Sequence, residues 1–251
     1  MAPETRQQII DRYSQLARSA LAGNAITDDD ADAFAAGSFG AAAYADRDDA
    51  PETALQASLG CGNPLAVADL HPGEDVLDLG SGGGLDVVLS ARRVAPTGIA
   101  YGLDASPDML ALARSNASKA QTTNARFLHG HIEAIPLPDS HVDVVISNCV
   151  INLSGDKPRV IAEAFRVLKP GGRLGITDIT ADEDADRAQL TLAEQQIGCQ
   201  ANFLTQPEYK RLLLTAGFTQ VAITTTSQAA PGLHSAIIQA TRPVADQLRD
   251  R

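Results

Sequence analysis

No uninterrupted apolar run in this sequence approaches the ~18 residues that a membrane-spanning helix needs, so a transmembrane protein is not expected. The first twenty residues carry Arg6, Asp11, Arg12 and Arg18 around no apolar centre, which argues against a secretory signal and for a cytoplasmic protein. Basic residues are scarce: 20 Lys and Arg stand against 31 Asp and Glu, a formal net charge of −11 at pH 7. A chain of that sign repels phosphate backbones, so nucleic acid is a poor partner, and the expected substrate is small or presented by another protein. Cysteine occurs three times, as Cys61, Cys149 and Cys199, with neither a CxxC pair nor zinc-ribbon spacing. In a reducing compartment the three are expected to be thiols. Internal repeats, low-complexity segments, a Ser-His-Asp set and a paired-carboxylate arrangement are all missing.

What is present reads as a globular α/β protein. Hydrophobic residues make up 44% and charged residues 20% of the 251 positions, enough apolar side chain to bury a core. Positions 4–22 set Ile9, Ile10, Tyr13, Leu16, Ala17, Ala20 and Leu21 on one helical face, and Gly23 ends the run. Positions 24–60 are acidic and rich in Gly and Ala, as a loop or short irregular helix would be. Residues 1–60 therefore read as a helix-and-loop cap, and 61–251 as the main domain with a C-terminal segment covering the substrate. From Glu74 onward, short apolar runs alternate with helix-length amphipathic segments: strands at 76–79, 98–103, 125–128, 142–146 and 173–177, helices at 84–94, 107–120 and 156–168. Ser106 is a good N-cap with Pro107 at the first helical position, and Pro170-Gly171-Gly172 stops the helix before it. Helices follow at 187–197 and 207–216, the second opening on a Thr205–Glu208 capping box. Strands at 221–226 and 234–240 flank a Pro231-Gly232 turn as an antiparallel edge, and the last ten residues read as a frayed tail. The alternation predicts a doubly wound, Rossmann-like, mostly parallel sheet with an antiparallel edge hairpin and an N-terminal helical extension.

The densest motif is Asp78-Leu79-Gly80-Ser81-Gly82-Gly83-Gly84, which turns a strand into a helix. Glycines there let backbone N–H groups approach a ligand at the partly positive start of a helix. The third glycine of a dinucleotide G-x-G-x-x-G would fall on Leu85, so a nicotinamide cofactor is disfavoured. The next strand ends at Asp104, 20 positions after Gly84, where a carboxylate can accept both hydroxyls of an adenosine ribose. The plainer alternative is a turn-forming glycine cluster followed by a turn aspartate.

These residues resemble the class I S-adenosylmethionine methyltransferases, over about 73–180. Val76 to Gly84 is similar to their first motif, Gly102-Leu103-Asp104 to their second, and Leu168 to Leu174 to their turn before the fifth strand. The resemblance implies S-adenosylmethionine as cofactor, held by Asp78, Gly80, Ser81, Gly82 and Gly84, with Asp104, Ala105 and Met109 around the ribose. Ile132 and Glu133 then lie near the adenine, and Asn148 beside the cofactor; His131 departs from the acidic residue common at its position.

Ligands of an open α/β sheet sit outside the carboxyl ends of its strands, which places Cys149, just after strand 142–146, at the mouth. Cys61 lies in a glycine-flanked loop before the core and Cys199 in the covering segment, so all three can meet there. Three thiolates suit a soft trivalent centre, although cysteines also serve as inert small hydrophobes. Ser58 to Pro64, Ile146 to Ser154 and Glu163 to Leu174 resemble the arsenite methyltransferase family, within a match over about 38–218. That resemblance implies Cys61, Cys149 and Cys199 as catalytic ligands of trivalent arsenic, delivered as a thiol conjugate, with a thiol reductant as second partner. Two positions depart from the family: Asp104-Ala105-Ser106 replaces Asp-Met-Thr, and Gln200-Ala201-Asn202 follows Cys199 in place of Ile-Gly-Gly. Two other readings remain: a carbon or oxygen methyltransferase of a quinone, sterol-like or polyketide substrate using His131 or Tyr44 as base, and a binding protein that sequesters metalloids without turnover.

Overall fold

The computed structural model describes residues 6–22, 54, 62–186, 190 and 202–244. A seven-stranded sheet runs β3 (Ala125–His129), β2 (Ala100–Asp104), β1 (Val76–Leu79), β4 (Val142–Asn148), β5 (Leu168–Ala181), β7 (Leu233–Thr241), β6 (Thr219–Ala230). The pairs β3–β2, β2–β1, β1–β4 and β4–β5 are parallel, while β7 runs antiparallel to both β5 and β6. The expected doubly wound sheet with an antiparallel edge is therefore what forms.

Side-chain alternation explains why the central strands read as unbroken apolar runs. Val76, Val144 and Ile146 pack on one face with Leu65, Ala68, Leu85 and Leu89. These last four come from α2 (Leu65–Ala68) and α3 (Leu85–Val94). Leu77, Leu79 and Val145 point the other way, against Val160, Ile161 and Ala164 of α5 (Lys157–Val167) and Leu213 of α6 (Gln206–Thr215). Both faces are covered, so each strand buries apolar residues at odd and even positions alike. Each such side chain contributes about 1.5–3 kcal/mol.

The helix starts obey local chemistry. Ser106 accepts a hydrogen bond from the Met109 N–H and so caps α4 (Pro107–Lys119). Thr205 and Glu208 cap α6 reciprocally. Helix α1 (Arg6–Leu21) lies within the expected 4–22, but its buried residues are Ser14, Ala17 and Ala20, and Leu21 is exposed. The broad apolar face expected there narrows to small residues because α1 packs closely on Met109 and Leu112 of α4.

Three strands run beyond the sequence reading. β5 runs Leu168–Ala181 rather than 173–177: Val142 pairs with Leu168, and after a bulge Val144 pairs with Arg173, which takes Pro170-Gly171-Gly172 into the strand. The hairpin strands are also longer than 221–226 and 234–240. The added positions are mostly polar Thr, Ser and Gln, which continue the backbone ladder without continuing the apolar signal, and the apolar ones, Ala229, Ala230 and Leu233, lie at the turn. The loop expected at 24–60, apart from Ala54, and the helix expected at 187–197, apart from Leu190, lie outside the described residues, as do Tyr44 and 245–251 of the tail.

Candidate active site

Strand order reverses at β1, with β2 and β3 on one side and β4 and β5 on the other. Loops leaving β1 and β4 therefore diverge and open a crevice at their carboxyl ends. The glycine loop on its floor is fixed by its own backbone. The N–H groups of Gly80 and Ser81 donate to the Leu103 carbonyl at 2.8 and 2.9 Å, and Gly84 N–H donates to the Ser81 carbonyl at 2.8 Å. The side-chain amide of Asn116, buried on α4, donates to the Gly83 carbonyl at 2.8 Å.

The glycines have separate tasks. Gly80 has φ +73°, and a Cβ there would lie 2.5 Å from Val150 Cγ2, so this glycine lets the loop after β1 meet the turn after β4. A Cβ on Gly84 would lie 2.9 Å from Ala113 Cβ, a contact between helices rather than with a ligand. Gly82 alone of these three faces open space: a Cβ there would meet nothing within 4 Å.

Asp104, at the end of β2, ties this loop to the next helix. Its Oδ2 accepts the Gly82 N–H at 2.9 Å and its Oδ1 the Ser106 N–H at 2.8 Å. Burial pushes the carboxyl above its ordinary range, opposed by those two N–H groups and that of Ala105. Each oxygen keeps a second lone pair, so the oriented carboxylate can still accept ribose hydroxyls. Ser81 Oγ is buried and has no hydrogen-bond partner among the described residues. An oriented carboxylate, an unsatisfied hydroxyl and an open glycine together fit an adenosyl amino acid such as S-adenosylmethionine. Asp78 lies deeper, and burial, then Asp86 and Asp104, push its carboxyl well up.

The residues expected around the nucleoside are arranged unevenly. Met109 is buried with Ala17, Ala20 and Leu112 beneath α1. The Ala105 carbonyl lies 3.1 Å from His129 Nε2. Ile132 packs on the main core, and His131 is exposed with a backbone bridge to Ala134. Glu133 Oε1 accepts the Ser154 hydroxyl at 2.6 Å and the Arg6 guanidinium at 2.8 Å. Arg18 bonds Asp108 at 2.6 Å, and the Ser14 and Ser106 hydroxyls lie 2.7 Å apart. Helix α1 thus spans from α4 to the loop after β3.

Cys149 is the first residue beyond β4, in left-handed backbone (φ +57°), with its N–H donated to the Thr177 carbonyl at 2.9 Å. Non-glycine residues held there are strained and concentrate at functional turns. Cys149 is disulfide-bonded, which corrects the expectation of three free thiols; its partner lies outside the described residues, as do Cys61 and Cys199. The physical reason is proximity: such a bond requires a second cysteine sulfur at about 2 Å. The surroundings are apolar: Cys149 packs, as Leu190 and Phe203 do, against the buried cluster of Ile179, Ala181, Ala230 and Leu233. Its neighbour Asn148 donates to the Gly62 carbonyl at 2.7 Å and accepts the Thr177 hydroxyl at 2.9 Å. The residue after Cys61 is thereby fastened to the residue before Cys149.

Sequence reasoning missed Asn116, Thr177 and the buried trio Asn152, Asp178 and Tyr209. For Asn116 a signal exists: it shares a helical face with Met109, Leu112 and Ala113, where an apolar residue is expected. Asp178 has none, since it follows the end of the apolar run. Its carboxyl is pushed up to about 6 by burial, against hydrogen bonds from Ile179, Tyr209 and Asn152 and the nearby Lys157 charge.

Residues 70–220 match a methyltransferase-domain family. The chain is 39% identical over 235 residues to an arsenite methyltransferase of Halobacterium salinarum, covering 88% of this chain and 59% of that one. It therefore spans less than two thirds of that relative's length. A demethylmenaquinone methyltransferase of Listeria monocytogenes is 34% identical over 109 residues, 43% of this chain and 46% of that one. Among solved structures, an arsenic(III) S-adenosylmethionine methyltransferase from Chlamydomonas reinhardtii superposes with a TM-score of 0.65 and 31% identity, over 79% of this chain and 72% of that one.

Proposed function

Because the chain belongs to the arsenite methyltransferase family of S-adenosylmethionine-dependent methyltransferases, we propose that it transfers methyl groups from S-adenosylmethionine to trivalent arsenic held by its own cysteines. The observation that carries this reading is Cys149. It stands at the mouth in strained backbone, joined to another cysteine of a chain that has three, one residue before the valine that packs on the glycine loop. Cys61, Cys149 and Cys199 are the arsenic ligands in this reading, and the clasp between Gly62 and Asn148 supports the approach of the first two.

Bound S-adenosylmethionine supplies an electrophilic methyl on a sulfonium. The glycine loop and Asp104 hold and orient it, with Ser81, Ala105, Ile132 and Glu133 around it and residues 1–60 as the cap. The arsenic lone pair forms the As–C bond as the S–C bond breaks and leaves its electron pair on sulfur. No general base is needed, so the protein contributes positioning and a water-poor pocket; the apolar surroundings of Cys149 support the latter. Arsenic is formally oxidised by two electrons in that step, and the Cys149 disulfide must open before thiolates can bind it. Both demands make a thiol reductant the second partner. Among the described residues no helix is long and apolar enough to cross a membrane; a cytoplasmic setting follows from the same need for reduced thiols.

Purified protein given S-adenosylmethionine, arsenite and a thiol reductant should form methylated arsenic, read by mass spectrometry. Cys149→Ser should abolish product while S-adenosylmethionine still binds. Product no greater than that of heat-denatured protein ends the arsenic reading and favours an organic methyl acceptor; a serine variant that methylates arsenite as fast as wild type leaves Cys149 structural and ends its assignment as an arsenic ligand.

A further inference from the structure

Asn152, Asp178 and Tyr209 meet in the interior, 3%, 1% and 0% exposed. They come from the 3-10 turn Ile151–Leu153, from β5 and from α6. The Asn152 amide donates to Asp178 Oδ1 at 2.9 Å and to the Ile179 carbonyl at 2.7 Å, while its oxygen accepts the Leu204 N–H at 3.2 Å. Asp178 Oδ1 also accepts the Ile179 N–H at 2.8 Å, and Oδ2 accepts the Tyr209 hydroxyl at 2.9 Å. With both N–H bonds and the oxygen engaged, the amide is held in one orientation. A buried polar cluster is a poor way to fill a core, since each group is stripped of water. Its value must come from where it stands.

Asn152 is three residues past Cys149, and Leu204 five past Cys199. The Leu204 carbonyl accepts the Ala181 N–H at 3.0 Å, and Ala181 bridges in parallel to Thr205, the cap of the helix that carries Tyr209. The chain arriving from Cys199 is therefore pinned at Leu204 to two things: the turn that leaves Cys149 and the end of β5.

We propose that Asn152 is a positioning residue for the arsenic site, setting the separation between the turn that leaves Cys149 and Leu204, five positions along the sequence from Cys199, with Asp178 and Tyr209 as its anchor. This rests on the arsenite reading above. The role demands an amide. Aspartate has the same shape but no N–H, and at this position it would confront the Asp178 carboxylate at hydrogen-bond distance. Tyr209→Phe is the gentler probe, removing one hydroxyl from the far end of the clasp and keeping the ring.

The test uses the full chain, thiol-reduced, as wild type, Asn152→Asp and Tyr209→Phe. Arsenite KM and kcat are measured by product formation, S-adenosylmethionine Kd by titration calorimetry, and folding by thermal melting. Asn152→Asp should raise arsenite KM on the order of tenfold or more. Tyr209→Phe should raise it less, and both should leave the S-adenosylmethionine Kd within about twofold of wild type. If Asn152→Asp shows no cooperative melt, Tyr209→Phe decides alone. An unchanged arsenite KM in the folded variants, or arsenite and S-adenosylmethionine affinities lost together, overturns the proposal. A wild type that neither binds nor methylates arsenite overturns the underlying reading and this inference with it, and the wild-type arm identifies that case.

Discussion

The two sides of the crevice are built on different plans. On the nucleoside side the parts are nearly contiguous: Gly80 to Gly84 follow β1, Asp104 ends β2, and Ser106 caps the next helix. Backbone N–H groups do most of the holding, to Leu103 and to Asp104, with one side-chain amide, that of Asn116, on the Gly83 carbonyl. On the cysteine side the parts come from four separate stretches of chain. Gly62, Asn148, Asn152, Thr177, Asp178, Leu204 and Tyr209 span 147 positions, and side chains join them. A backbone-built site tolerates changes in neighbouring side chains and fails when a Cβ is added. A side-chain-built site fails one amide or hydroxyl at a time, and its parts can be weakened separately.

The largest effect expected from this contrast is where the two sides meet at Gly80 and Val150. Gly80→Ala places a Cβ 2.5 Å from Val150 Cγ2 at a position with φ +73°. Left-handed backbone costs about 1–2 kcal/mol for alanine and forced overpacking about 1–3 more. S-adenosylmethionine binding and arsenite methylation should both fall to background while the rest of the sheet still folds. Calorimetry that finds wild-type S-adenosylmethionine affinity in this variant would mean that the two sides do not share a wall at Val150.

Legibility follows the same division. The fold and the nucleoside side could be read from sequence because their signals are local: unbroken apolar runs in β1 and β4, Ser106 before Pro107, the capping box at Thr205, glycines between a strand and a helix. The cysteine side could be read only in outline. Cys149 was legible from its place after a strand, but Thr177, Asn152 and Tyr209 declare themselves only through partners 29, 26 and 31 residues away. The ends of β5 and of the hairpin were hidden for a related reason. Their ladders continue through Gly and polar residues such as Gly171, Gly172, Asp178 and Thr219, which interrupt the apolar pattern although Ile179, Ala181, Ala230 and Leu233 are buried.

A second, intermediate effect isolates the anchor of the cysteine side. The Asp178 carboxyl is raised from 3.8 to about 6, burial being the first cause. The folded chain thus binds this proton more tightly than the unfolded chain does. Stability from this group is gained as pH falls through about 6 towards 3.8 and is absent above that window. A shift of that size corresponds to roughly 3 kcal/mol at full protonation. Guanidinium unfolding of wild type and Asp178→Asn at several pH values between 4 and 8 should therefore give curves whose difference is flat above pH 7. Below pH 6 the difference should move in favour of wild type. Parallel curves across the whole range would place the aspartate in a far better solvated setting than β5 provides.

The smallest effect should be the most selective. Gly62 has ordinary backbone, so alanine is not strained there; the obstacle is Thr177, whose Cβ and Cγ2 would each lie 2.9 Å from the new Cβ. Thr177 is itself held by the hydrogen bond to Asn148, and Asn148 by the one to the Gly62 carbonyl, so none of the three can yield without loosening the others. Gly62→Ala should lift the loop that carries Cys61 by a few tenths of an ångström. Reacting groups displaced on that scale lose on the order of tenfold in rate, a full ångström being worth roughly a hundredfold. Arsenite kcat/KM should drop accordingly while the S-adenosylmethionine Kd stays at the wild-type value, because among the described residues no bond of the glycine loop or of Asp104 runs through Gly62. Thr177→Ser, which removes Cγ2 and keeps the hydroxyl, should restore part of the loss in the double variant. Equal damage to both ligands would show that the crevice behaves as one mechanical unit, and that the separation of its two sides holds for their construction but not for their function.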